Sequence, residues 1–150
     1  MKLWIILVMC FSVYAGEHKV LLDVKTGNPK LLEKNLIDRI IDIQSFYALQ
    51  GEKVKISVIV SGNAYKFFIL DLDKTLYNLN KNFEELRERL QIKLRLLSTE
   101  YDVVFETCET GMKRRDLSEE DLVDFARPIH SYSIGLIKWQ NMGYAYLPVH

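Results

Sequence analysis

Five short apolar runs alternate with segments of helical period along the 150 residues of this chain. That alternation restricts the fold more than any other feature. Lys19–Val24, Val54–Val60, Tyr101–Thr107, Pro128–Tyr132 and Tyr144–Val149 each have the length of a buried strand. After the first run, Thr26-Gly27-Asn28-Pro29 supplies a tight turn, a capping side chain and a proline suited to the first helical position. Leu32, Leu36, Ile40, Ile43 and Tyr47 then predict an amphipathic helix ending near Gly51. After the second run, Ser61-Gly62-Asn63 turns into a short apolar segment, Ala64 to Leu70, and Asp71 to Asn80 reads as a polar connector. Phe83, Leu86, Leu90, Leu94 and Leu97 form the stripe of a long helix. Glu109 to Arg115 reads as one or two helical turns, Ser118 to Asp121 as a capping box that starts another short helix, and Ile134 to Asn141 as a short helix closed by Gly143. Pro148 marks an edge strand or a strand end. The alternation predicts an α/β domain with a mainly parallel sheet and helices on both faces.

The first residues predict a compartment. Met1-Lys2 is a short positive start, Leu3 to Tyr14 is almost wholly apolar, and Val13 and Ala15 are small residues at the positions a signal peptidase reads. Residues 1–15 are read as a signal peptide cleaved near Ala15 or Gly16, leaving a single periplasmic or secreted domain over 17–150 with no stable membrane insertion. The alternative is an uncleaved anchor, although the run is short for a span. Cys10 is assigned to the discarded peptide.

Equal numbers of basic and acidic residues, 20 of each, give no electrostatic footprint for a nucleic acid. His18, His130 and His150 show no metal-ligand spacing with cysteine, so no metal is expected. No glycine-rich nucleotide motif is present, and no cofactor is expected.

Cys108 is the candidate catalytic residue. It ends an apolar run and precedes a basic helical stretch, a placement that favours an exposed thiolate. Lys113, Arg114 and Arg115 could add positive charge, while Glu109 opposes it. Read as packing alone, Cys108 is a small buried hydrophobe. In a wound α/β sheet, ligands bind outside the carboxyl ends of the strands. Three turns are expected to converge there: Thr26, Gly27 and Asn28; Ser61, Gly62 and Asn63; and Thr107 to Thr110 around Cys108. Gly111, Met112 and Arg115 complete the expected supporting set. A second reading is a non-catalytic, oligomeric module that binds a small ligand in this cleft.

Phe67-Phe68-Ile69-Leu70-Asp71-Leu72-Asp73-Lys74-Thr75 offers a further alternative. It resembles the first motif of haloacid-dehalogenase-type phosphatases, in which a strand delivers a nucleophilic aspartate, a second aspartate is acid/base, and magnesium neutralises the phosphate. A magnesium-dependent phosphatase acting through Asp71 and Asp73 would need further acidic ligands after a later strand, and none is found there.

Several runs are similar to the DsrE/DsrF-like family. They are Lys19–Val24 with Gly27-Asn28-Pro29, the stretch from Val58 to Phe68, the stretch from Phe105 through Cys108, Met112 and Arg115 to Leu122, and Gly143-Tyr144-Ala145-Tyr146-Leu147-Pro148. The resemblance covers nearly all of the region after residue 16. It implies a three-layer, doubly wound, flavodoxin-like domain with a five-stranded parallel sheet. It also implies homo-oligomers, trimers or hexamers, and a cysteine, here Cys108, that carries sulfur as a persulfide between donor and acceptor proteins or small thiols. The consecutive apolar residues Phe67 to Leu70, with Tyr132, Trp139, Tyr144 and Tyr146, are expected to supply part of the surface between subunits.

Overall fold

The computed structural model describes residues 17–72 and 81–149. The expected signal segment, Cys10 and Asp73 lie outside the described residues. The element order is β1 (Glu17–Val24), α1 (Pro29–Leu32), a π-helical stretch (Glu33–Asp38), α2 (Arg39–Leu49), β2 (Lys53–Val60), a 3-10 stretch (Gly62–Phe67), α3 (Lys81–Tyr101), β3 (Val104–Cys108), α4 (Glu109–Lys113), a 3-10 turn (Glu119–Asp121), β4 (Ala126–Ile129), α5 (Tyr132–Asn141) and β5 (Ala145–Val149). The sheet is parallel throughout, in the order β4-β3-β2-β1-β5. No helix among the described residues is long and apolar enough to cross a membrane.

Local chemistry sets the first crossover. Asn28 accepts from the Lys30 and Leu31 amides at 2.9 and 3.3 Å, and Pro29 opens α1. A cap of this kind contributes about 1 kcal/mol. Leu32, Leu36 and Ile40 are buried, and Ile43 and Tyr47 pack against them, as the spacing predicts.

The chain steps from β1 to β4 in one direction and then returns to place β5 beyond β1. Right-handed crossovers therefore put α1, α2 and α3 on one face of the sheet and α5 on the other. The two cores follow from this. Val20, Leu22, Val24, Val58, Val60 and Phe105 face the larger cluster with Leu36, Leu90 and Leu94. Leu21 and Ile59 face a smaller one with Trp139 and Tyr144. The central strands are buried on both faces, which is why they read as continuous apolar runs.

Four expectations are corrected. The fourth strand is Ala126–Ile129, not Pro128–Tyr132: Ser131 caps α5 through the Ile134 amide at 3.3 Å, so Tyr132 is already helical. The third strand starts at Val104. Tyr101 still belongs to α3, and Asp102 takes a left-handed φ of 54° in the turn between them. Ser118 and Asp121 do form a capping box, with the Ser118 amide donating to Asp121 at 2.7 Å, but it opens a single 3-10 turn.

The fourth correction concerns Phe67, Phe68 and Ile69, which are fully buried, leaving only Leu70 exposed. A 3-10 stretch followed by an isolated bridge from Ile69 to Leu122 lets consecutive side chains point into different parts of the core. Phe67 meets Phe83, and Phe68 meets Phe105 and Phe125. Trp139 and Tyr144 are also buried, so little of the expected aromatic surface is free to lie between subunits.

Candidate functional site at the strand carboxyl ends

The turns after β1, β2 and β3 do converge. The Ser61 amide donates to the Val24 carbonyl at 3.0 Å and the Asn63 amide to that of Lys25 at 3.1 Å. Gly27 is required by this approach: a Cβ there would stand 2.8 Å from the Asn63 Cβ. The link onward to β3 is Tyr65, fully buried, whose hydroxyl donates to the Cys108 carbonyl at 2.9 Å.

Cys108 is both the last residue of β3 and the N-cap of α4, and its side chain makes no capping hydrogen bond. It is the free cysteine of the described residues and is 6% exposed, packed into the larger core with Met112. Two of the three cations expected to assist it, Lys113 and Arg115, have other partners. Lys113 pairs with Glu109 at 2.6 Å, and His130 lies 3.9 Å from the same carboxylate. The Lys113 hydrogen bond and charge hold the Glu109 carboxyl below its usual range. Arg115 lies over the Tyr65 ring at 5.2 Å and donates to the Gly111 carbonyl at 3.1 Å.

The other expected supporting residues divide by role. Thr110 donates to the His130 carbonyl at 2.9 Å, and buried Thr107 donates to that of Arg127 at 3.3 Å. Thr107 thereby fastens β3 to β4, and Thr110 fastens α4 to the residue that follows β4. Thr26 accepts from the Asn28 amide at 3.1 Å, Asn28 caps α1, and Gly62 opens the 3-10 stretch. The apolar run before Asp71 is not a strand of the sheet, and Asp71 is exposed, so no sheet strand delivers it as the phosphatase motif requires.

Sequence reasoning missed two carboxylates set within the apolar strands. Both point to the face covered by α5. Glu106, 2% exposed, accepts from Arg127 at 2.9 and 3.1 Å, from Lys138 at 2.8 Å and from the Trp139 indole at 2.7 Å. Burial alone would push this carboxyl up. The hydrogen bonds from Lys138, Trp139 and Arg127, with the Lys138 charge, outweigh it and leave the group below its usual range. Asp23, 4% exposed near the end of β1, accepts at Oδ2 from Tyr132 at 2.6 Å and from Tyr146 at 2.9 Å. Burial, then the bond to Asp23, pushes the Tyr132 hydroxyl up to about 12. The same causes raise Tyr146, so both phenols are held as donors. A charge inside an otherwise apolar strand is the signal that could have revealed both.

A family model for the DsrE/DsrF-like family matches residues 38–149, three quarters of the chain. The chain belongs to the DsrE/DsrF-like family. The match begins after β1, which nevertheless supplies an inner strand of the same sheet. Among solved structures, the chain is similar to MTH1491 from Methanobacterium thermoautotrophicum, a protein of unknown function. The two are 15% identical over 87% of this chain and 98% of that one, with a TM-score of 0.61. That likeness bears on the fold. Among curated proteins none matches. The DsrE/DsrF-like family points to sulfur-relay-type function at the level of the family.

Proposed function

We propose that this DsrE/DsrF-like chain carries sulfur as a persulfide on Cys108. Family membership supports the reading, and one observation in the chain carries it. The cysteine of the described residues stands where β3 ends, beside the turns that gather at the carboxyl edge of the sheet.

The chemistry balances without a cofactor. The Cys108 thiolate attacks the outer sulfur of a persulfide donor, R–S–SH. The donor S–S bond breaks, a new S–S bond forms to Cys108, and R–S⁻ leaves. An acceptor thiolate then attacks the outer sulfur, and Cys108 departs as the thiolate. The sulfane sulfur keeps its oxidation level throughout. Because Cys108 is 6% exposed, the proposal includes an opening step in which covering side chains yield to the donor. Donor and acceptor are proteins or small thiols.

The same proposal includes assembly into trimers or hexamers, export directed by residues 1–15, and a periplasmic or secreted mature protein. Light scattering that returns a monomer at micromolar concentration would remove the assembly. An exported chain that keeps its first fifteen residues would remove the cleavage.

The deciding experiment is intact mass of the full chain after incubation with glutathione persulfide. Gain of one sulfur atom on the proteolytic peptide that holds Cys108, released by dithiothreitol and absent from that peptide in Cys108→Ser, is the expected result. An unchanged mass under conditions that load a small model thiol overturns the sulfur-carrying role.

A further inference from the structure

The turn after β1 and the 3-10 stretch after β2 meet at Gly27, and hydrogen-bond donors gather there. A Cβ on Gly27 would stand 3.1 Å from both Cε and Nζ of Lys66 and 2.8 Å from the Asn63 Cβ, so Lys66 lies along bare glycine backbone. Its ammonium is 4.6 Å from the centre of the Phe83 ring and 5.5 Å from that of Phe67. Lys19, Lys25, Lys55, Lys93, Lys113 and Lys138 each face a carboxylate. Lys66 has neither a carboxylate nor a hydrogen-bond acceptor among the described residues. Ring faces return only part of what an ammonium loses with its water, and burial pushes this one below its ordinary value. It is nevertheless reachable. Among the described residues the side-chain nitrogens and oxygens buried without a partner are Asp23 Oδ1, Ser57 Oγ and Arg87 Nε, and Lys66 Nζ is not one of them. The Gly27 amide and the exposed Asn63 carboxamide also lack a partner among the described residues.

We propose that Lys66, with the Gly27 amide and the Asn63 carboxamide, binds the oxyanion group of a small molecule at the carboxyl ends of β1 and β2. That end of a wound sheet is where ligands are taken. The acceptor requirement follows from three donor groups that all lack partners. The charge follows from the ammonium. A neutral acceptor would leave it without counter-charge in a half-buried, aromatic setting, whereas an anion supplies the charge and the hydrogen bond together. Gly27 makes room for the arrangement, because any side chain there would push Lys66 and Asn63 away. Carboxylates, phosphates and sulfur oxyanions share this chemistry. The inference does not rest on sulfur transfer at Cys108, and no step at that thiol enters it.

Titration of the ¹⁵N-labelled full chain with sodium sulfate, sodium phosphate and sodium acetate tests it, against sodium chloride at matched ionic strength. Saturable shifts at the Gly27, Asn63, Ala64 and Lys66 amides are expected with at least one oxyanion, and only unsaturated drift with chloride. The three arms rank the sulfur, phosphorus and carbon oxyanions. No saturable shift at these amides with any of the three, or an equal response to chloride, overturns the proposal. Lys66→Met adds a second reading, since methionine has similar length, keeps the packing on Phe67 and Phe83, and carries no charge. With the remaining amide spectrum intact, this variant is expected to bind the oxyanion at least about tenfold more weakly. Undiminished binding by Lys66→Met overturns the assignment.

Discussion

The Tyr65 hydroxyl donates to the Cys108 carbonyl at 2.9 Å, tying the 3-10 stretch after β2 to the end of β3. Both groups are buried. Removing the donor leaves a carbonyl with no access to water, a loss of about 1–3 kcal/mol. Tyr65→Phe is expected to lower unfolding free energy by that amount in urea titrations, with an unchanged m-value. A cost near zero would mean that the carbonyl finds another donor.

Gly111 faces the same hydroxyl. A Cβ at residue 111 would come 2.2 Å from the Tyr65 oxygen and 3.2 Å from the ring carbon that bears it. Gly111→Ala must therefore displace Tyr65 or α4, at about 1–3 kcal/mol. Most of the clash is with one oxygen, so Gly111→Ala should cost clearly less in a Tyr65→Phe background. A double-mutant cycle is expected to return a coupling above about 0.5 kcal/mol. Strict additivity would place the strain elsewhere.

Glu106 gives the fold a pH dependence of definite sign. Its folded-state carboxyl is held below the ordinary carboxylate range by the hydrogen bonds and charge that outweigh its burial. The unfolded state therefore takes up its proton first as pH falls. The stabilisation is complete above the unfolded value and is lost as pH falls below the ordinary carboxylate range through the lowered folded value. Glu106→Gln takes the counter-charge from Lys138 and Arg127, both of which reach water, and weakens the buried bonds at residue 106, so it should cost about 1–3 kcal/mol at neutral pH. Measured against pH, the gap between parent and variant should shrink on acidification below the usual carboxylate range. A gap that stays constant would remove the ionised Glu106 from the account.

What the sequence disclosed was mostly local. Asn28 and Pro29 sit beside the helix they open, and Ser118 and Asp121 close a box on themselves. The stripe from Leu32 to Tyr47 needs only a helix and one apolar face, and it survives the π-helical stretch within it. Phe67 and Phe68 are covered by Phe83, Phe105 and Phe125, and Ile69 bridges to Leu122, all of which arrive later in the chain, so four apolar residues in a row look like surface when only their neighbours in sequence are considered. The Asp23 cluster is more distant still. Tyr132 and Tyr146 are 109 and 123 residues away, and neither registers as a partner until β5 returns beside β1. The Cys108 position was legible because it ends a strand. Its burial was not, since Met112 and the core supply the cover.

Cys108 occupies an N-cap position with extended backbone, φ −70° and ψ 106°, yet its sulfur caps nothing. Serine is among the strongest residues at such a position because its hydroxyl accepts from an amide of the first helical turn, for about 1 kcal/mol. Against this stands the loss of a buried sulfur in a partly apolar setting. The two terms are of similar size for serine. Alanine loses the sulfur and gains no cap. Cys108→Ser is therefore expected to melt at or above Cys108→Ala and close to the parent, by calorimetry. This ordering matters to function, because a well-folded serine variant makes its failure to take up sulfur a statement about chemistry. If Cys108→Ser melts well below Cys108→Ala, the hydroxyl is buried without a partner and the capping geometry at the start of α4 is wrong.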